Sequence, residues 1–168
     1  MKTPAVQGAS DDFQTPGIAI KPLLPFIPKD WLIWECASGR GNLVKEFRNY
    51  GYDVLGTDIN MNEIFDFLTY EPEDYDVIIT NPPFSLKQQF LERAYYLRKP
   101  FAFLLPLTTF ETAKRQKLFK EFGVEVIFFD KRINFETPSG RGSSSWFATA
   151  WFTNGLNIGK ELTFVELA

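Results

Sequence analysis

Short runs of almost unbroken apolar residues constrain this chain more than any other feature of its sequence: Trp31-Leu32-Ile33-Trp34, Val77-Ile78-Ile79, Phe101 to Leu105, Val124 to Phe129 and Trp146 to Phe152. A strand with one wet face alternates apolar and polar residues, whereas a strand in a parallel sheet is buried on both faces and reads as continuous. Helix-like patterns separate these runs, so the chain is expected to be α/β, with a mostly parallel sheet covered on both faces.

The connecting segments fit that plan. After the turn-like Thr15-Pro16-Gly17 and a stretch punctuated by Pro22, Pro25 and Pro28, the first strand is expected to end at Glu35. Asn42 can cap a helix with Leu43, Val44, Phe47 and Tyr50 on one side, and Gly51 is its natural stop. A second strand, residues 53 to 57, delivers Asp58, and a short apolar element lies around Ile64 to Leu68. Ser85 with Gln88, and Thr108 with Glu111, have the spacing of capping boxes that open two further helices, the second running to Phe122 before Gly123. A short element over Lys131 to Phe135 and a Gly/Ser-rich loop, Ser139 to Ser145, precede the last expected strand. Residues 1 to 11 are small and polar and are expected to form a mobile arm, leaving 12 to 168 as one domain.

Composition removes several chemistries. The 168 residues include no histidine, which excludes Ser-His-Asp and Cys-His nucleophiles and imidazole-held metals. The single cysteine, Cys36, excludes an internal disulfide or a thiolate cluster, so no metal is expected and a reducing, cytoplasmic setting is. No run is long enough to span a membrane. The net charge of -3 hides an asymmetry: residues 1 to 84 carry 6 basic against 13 acidic side chains, and residues 85 to 145 carry 11 against 6. Such a division suits a molecule with one face for a cation and another for a polyanion.

In an open α/β sheet, ligands bind beyond the carboxyl ends of the strands. Three such ends carry signals here. Glu35-Cys36-Ala37-Ser38-Gly39-Arg40-Gly41-Asn42 is a glycine loop between strand and helix, where backbone can approach a ligand closely. It lacks the third glycine of the dinucleotide fingerprint, and Glu35 disfavours a pyrophosphate while welcoming a cation. Asp58 follows Gly39 by 19 residues, near the interval at which an acid grips ribose hydroxyls. Asn81-Pro82-Pro83-Phe84 places two stiffening prolines and an aromatic directly after a buried strand. The Asn81 amide oxygen and the Pro82 carbonyl can then act as paired acceptors for an amino group on a flat ring.

Together these pieces resemble the class I S-adenosylmethionine-dependent methyltransferases, and among them the DNA adenine-N6 family with its Asn-Pro-Pro-Phe/Tyr motif. Asp12-Phe13-Gln14-Thr15-Pro16 resembles the N-terminal cofactor motif, and the order of motifs resembles the gamma arrangement. The resemblance implies a Rossmann-like domain with an antiparallel edge strand, S-adenosylmethionine as cofactor, and DNA as partner. It also implies roles. Phe13 and Thr15 close over the methionine end, while Glu35, Ala37, Gly39 and Gly41 hold the middle. Asp58 binds ribose, Ile59, Asp66 and Phe67 enclose the adenine, and Asn81 adjoins the cofactor. Catalysis falls to Asn81, Pro82, Pro83 and Phe84, with Phe84 stacking on a flipped base.

The chain departs from the family in having only about 16 residues after the last expected strand, too few for a target-recognition domain. Specificity is then slight, built from the loop between Phe135 and Ser145, or supplied by a specificity partner or by self-association. Lys131, Arg132 and Arg141 flank that loop and are the candidate phosphate contacts. Cys36 lies in the glycine loop and not after a proline of a catalytic loop, so it reads as a small packed side chain. Three other readings stay open: adenine in RNA, a glutamine side chain in a protein, or a non-catalytic subunit of a larger methyltransferase. A dinucleotide oxidoreductase is disfavoured by the missing glycine and by Glu35.

Overall fold

The computed structural model describes residues 14–135 and 147–167, so the expected arm over residues 1–11 lies outside the described residues. Seven strands form one sheet: β1 Leu32–Glu35, β2 Asp53–Gly56, β3 Val77–Thr80, β4 Phe101–Pro106, β5 Glu125–Phe129, β6 Thr149–Asn154 and β7 Leu162–Val165. Their order is β2-β1-β3-β4-β6-β5-β7. All neighbours are parallel except where β6 runs antiparallel between β4 and β5. The expected antiparallel strand is therefore present, third from one edge, with β5 and β7 outside it.

Each central strand sends alternate residues to two apolar layers. Ile33, Val77, Ile79, Ala102 and Leu104 point to one side, where α1, Asn42–Asn49, packs with Leu43, Val44 and Phe47. Trp34, Ile78, Phe101, Phe103 and Leu105 point to the other, against Phe90, Leu91 and Ala94 of α2, Lys87–Leu97. Leu118 and Phe119 of α3, Ala113–Phe122, extend that second layer. With both faces covered, β3 and β4 are buried throughout, which explains their continuous apolar sequence.

Several element ends differ from expectation. Gly41, with a left-handed φ of 87°, is the N-cap of α1, and Asn42 is its first helical residue. Thr108 does not cap α3: residues 107 to 111 make a 3-10 turn, and Thr112, in extended backbone, accepts from the Arg115 amide at 3.4 Å. Residues 84 to 86 likewise form a 3-10 turn, so α2 starts at Lys87 with Leu86 as its N-cap. Residues 131 to 135 are not regular; burial of Ile133 and Phe135 in the first layer anchors them instead of backbone pairing.

Two elements were not anticipated. Residues Gly17–Phe26 wind as a 3-10 helix that accommodates Pro22 and Pro25 and buries Ala19, Ile20 and Leu23 against the sheet. Strand β7 adds the outer edge. The 3-10 segment is tied to β6 by the fully buried Trp151, whose Nε1 donates to the Ala19 carbonyl at 2.8 Å. Trp151→Phe removes that bond and some volume, and is expected to lower the unfolding free energy by about 1–3 kcal/mol. Urea denaturation checks this, and an unchanged midpoint would show that the tie contributes nothing to stability.

Candidate active site

The chain leaves β1 for β2 on one side and reaches β3 on the other, so strand order reverses at β1 and a crevice opens beyond the carboxyl ends of these three strands. A cleft of about 520 Å³ occupies it, lined from β1 by Glu35, Cys36, Ala37, Ser38 and Gly39, from β2 by Asp58, Ile59 and Asn60, and from β3 by Asn81 and Pro83. Phe65, Asp66 and Phe67 form a further wall.

The glycine loop is held by the acid at the end of β2. Asp58 Oδ2 accepts from the Gly39 amide and Oδ1 from the Asn60 amide, each at 2.8 Å. Gly39 adopts a left-handed φ of 53°, which glycine reaches without strain. The segment before the first 3-10 helix closes the other side: Gln14 Oε1 accepts from the Arg40 amide at 3.2 Å, and the Thr15 carbonyl accepts from Asn42 Nδ2 at 3.3 Å. Asp66 Oδ1 accepts from the Leu68 amide, shaping the turn that presents Phe67. Arg93 of α2 braces that turn by donating to the Phe67 and Tyr70 carbonyls.

Glu35 is only 3% exposed, and its Oε1 accepts from the Ala37 amide at 3.0 Å. Burial pushes its carboxyl up to about 8, and the nearby Asp58 adds to the rise. The Thr80 hydroxyl lies close enough to favour the ionised form, yet it makes no hydrogen bond of good geometry and remains buried without a partner. No ion pair reaches Glu35 among the described residues. Burial and the neighbouring Glu35 also hold the Cys36 thiol well above its usual range, so it stays protonated and packed.

At the end of β3, Asn81 Nδ2 donates to Thr15 Oγ1 at 3.0 Å, while Asn81 Oδ1 is buried with no hydrogen-bond partner. A buried amide oxygen without a donor is costly, and a ligand that donates to it would relieve that cost. Phe84 sits in the 3-10 turn that follows, its ring edge-on to Phe147 at 5.6 Å and Phe135 at 6.4 Å.

The cleft thus brings together Thr15, Glu35, Ala37, Gly39, Asp58, Ile59, Asp66, Phe67, Asn81 and Pro83. It does not include Gly41, which shapes the start of α1, nor Pro82, which is buried, nor Phe84. Lys131 and Arg132 are exposed at the carboxyl end of β5, with β4 and β6 between that strand and β3. Phe13 and Arg141 lie outside the described residues. Sequence reasoning gave no cofactor role to Gln14, Asn42, Phe65 or Phe90, which also line the cleft. Gln14 had a signal in its place between Phe13 and Thr15, and Asn42 in its place at the end of the glycine loop.

No protein-family model and no curated protein matches the sequence. Among solved structures, a Listeria monocytogenes protein assigned to the class I S-adenosylmethionine-dependent methyltransferases superposes with a TM-score of 0.63 and 18% identity. The match covers 91% of this chain and 65% of that one, so this chain spans slightly less than two thirds of its length. A Pyrococcus horikoshii protein assigned as an RNA methyltransferase superposes with a TM-score of 0.60 and 15% identity, over 90% of this chain and 88% of that one. The chain therefore has the Rossmann-like fold seen in these two proteins.

Proposed function

We propose that this chain transfers a methyl group from S-adenosylmethionine to the exocyclic N6 amine of adenine in DNA. The observation that carries this reading is Asn81: its Nδ2 is committed to Thr15, which leaves a buried, unpartnered amide oxygen beside the cleft.

The cleft suits the cofactor on its own chemistry. Glu35 offers a buried carboxyl with no cation against it, where a ligand carrying ammonium and sulfonium charges gains most. Each Asp58 oxygen accepts one backbone amide and keeps a lone pair for a ribose hydroxyl. Ile59, Asp66 and Phe67 form a wall for a flat purine. When bound, the cofactor supplies an electrophilic methyl on sulfur.

The chain's own contribution is positioning. The adenine amine is a poor nucleophile because its lone pair is delocalised into the ring. Asn81 Oδ1 and the Pro82 carbonyl accept its two hydrogens, which favours the pyramidal, nucleophilic form, and no histidine base is required. Thr15 holds the Asn81 amide in place through its hydroxyl. Pro83 keeps the turn stiff, and Phe84, braced by Phe135 and Phe147, offers a ring to a base drawn out of its stack. Lys131 and Arg132, away from the cleft, supply phosphate contacts, with Arg141 as the third candidate from the sequence. A second reading, adenine in RNA, draws on the Pyrococcus horikoshii neighbour's assignment as an RNA methyltransferase.

The test is transfer of labelled methyl from S-adenosylmethionine to single-stranded DNA, duplex DNA, RNA and a protein extract in parallel. Label on DNA adenine is the expected outcome. Label confined to RNA or protein would replace the DNA reading, and cofactor binding without any transfer would favour a non-catalytic subunit. Asn81→Ala is expected to slow transfer by about 10²–10³-fold with cofactor affinity nearly intact; equal loss of both would remove Asn81 from the catalytic role. Asp58→Ala, followed by calorimetric titration, is expected to weaken cofactor binding by about 10- to 100-fold, and unchanged affinity would remove Asp58 from the ribose role.

A further inference from the structure

Strand β7 ends the sheet, and among the described residues no strand pairs with its outer edge. Its side chains alternate. Thr163 and Val165 lie on the face of the first apolar layer, whereas Leu162 and Phe164 register with Val126 and Phe128 and share the face of the second. On that face Leu162 is 53% and Phe164 75% exposed, and the Phe164 ring stacks on Phe128 with centroids 5.2 Å apart. An unpaired edge bearing an exposed aromatic is a template for a further strand, and proteins that need no such partner blunt it.

We propose that a second copy of this chain pairs with β7 by antiparallel, two-fold-related contact centred on Thr163. Three features of the strand select this occupant and this register. First, the Glu161 and Val165 carbonyls accept from the Val126 and Asp130 amides, so these odd-numbered residues direct their backbone groups towards β5. By the two-residue period, Leu162 and Phe164 direct theirs outwards. A two-fold centre at a residue pairs even with even positions and satisfies both chains, whereas a centre between residues pairs outward with inward groups and fails. Second, the centre at Thr163 sets Leu162 of each copy opposite Phe164 of the other, so the exposed apolar positions cover one another. Third, the same centre brings the exposed Lys160, in the bend before β7 of each copy, towards the exposed Glu166 that follows β7 of the other, an opposite-charge pair repeated by the symmetry. Shifting the centre to Leu162 or Phe164 loses both of these pairings.

The resulting sheet continues across the interface, and because the central strands are antiparallel, the carboxyl edges of the two sheets face opposite ways. The two clefts then open on opposite edges of the continuous sheet, and the proposal is independent of what the cleft binds.

Sedimentation equilibrium over a concentration series tests it. The wild-type chain is expected to approach twice 19.4 kDa. Glu166→Lys sets like charges opposite at both ends and is expected to weaken dimerisation by about tenfold or more. Lys160→Glu combined with Glu166→Lys restores the opposite charges and is expected to restore the dimer. Lys160 and Glu166 lie six residues apart beyond opposite ends of β7, so this rescue has no counterpart within a monomer. Phe164→Lys is expected to abolish the dimer while leaving circular dichroism unchanged. A monomer at every concentration, a dimer insensitive to the single reversal, or a monomer whose β7 amides resist hydrogen exchange because another segment covers them, would each overturn the proposal.

Discussion

A carboxyl group that no ion pair reaches among the described residues is buried at the floor of the cleft, and much of the site is arranged around it. Glu35 lies at the carboxyl end of β1, which has β2 on one side and β3 on the other, so it sits where three strand ends and their loops converge. At that depth its charge is poorly solvated, and burial pushes its carboxyl up to about 8. A ligand that brings positive charge to that depth relieves the penalty, whereas a phosphate-bearing ligand would add to it. The same group therefore favours a sulfonium cofactor and disfavours a dinucleotide.

Rigidity around Glu35 comes from chain segments distant in sequence. Asp58, from the next strand, fixes the glycine loop through the Gly39 amide, and Gln14 fixes its far side through the Arg40 amide. Thr15 then links this segment to Asn81. One connected set of hydrogen bonds thus joins the loop proposed to hold the cofactor to the amide proposed to hold the amine, and Trp151 anchors the following 3-10 helix to the sheet. In the proposed function, preorganisation of this kind is what lets acceptors and stacking serve as the catalytic means in a chain with no histidine.

The parts of this arrangement legible in the sequence are those fixed by local rules. Strands β1, β3 and β4 are buried on both faces and read as apolar runs; Gly39 and Asp58 sit at intervals that strand-turn-helix geometry demands. Strand β7 was not legible because it is four residues long and alternates at an edge, and the 3-10 helix was hidden behind prolines that normally mark irregular chain. The packing of Phe84 on Phe135 and Phe147 depends on residues about fifty and sixty positions away, which no local pattern reports. The raised Glu35 carboxyl is also a tertiary property: its position at a strand end was readable, its depth was not. The division of charge takes on a shape here, since Glu35, Asp58 and Asp66 of the acidic half line the cleft while Lys131 and Arg132 of the basic half stand outside it.

The most direct test of a cleft built around a buried carboxyl is the number of protons released when S-adenosylmethionine binds, measured by titration calorimetry at pH 7 in buffers of different ionisation enthalpy. Glu35, with its carboxyl pushed up to about 8, is largely protonated at that pH before binding and ionises against a cationic ligand, so affinity rises with pH towards about 8. Release approaching one proton per cofactor is predicted for the wild-type chain, falling away in Glu35→Gln. Binding with no proton release, or with the same release in both proteins, would contradict a role for Glu35 as the cation's counter-charge.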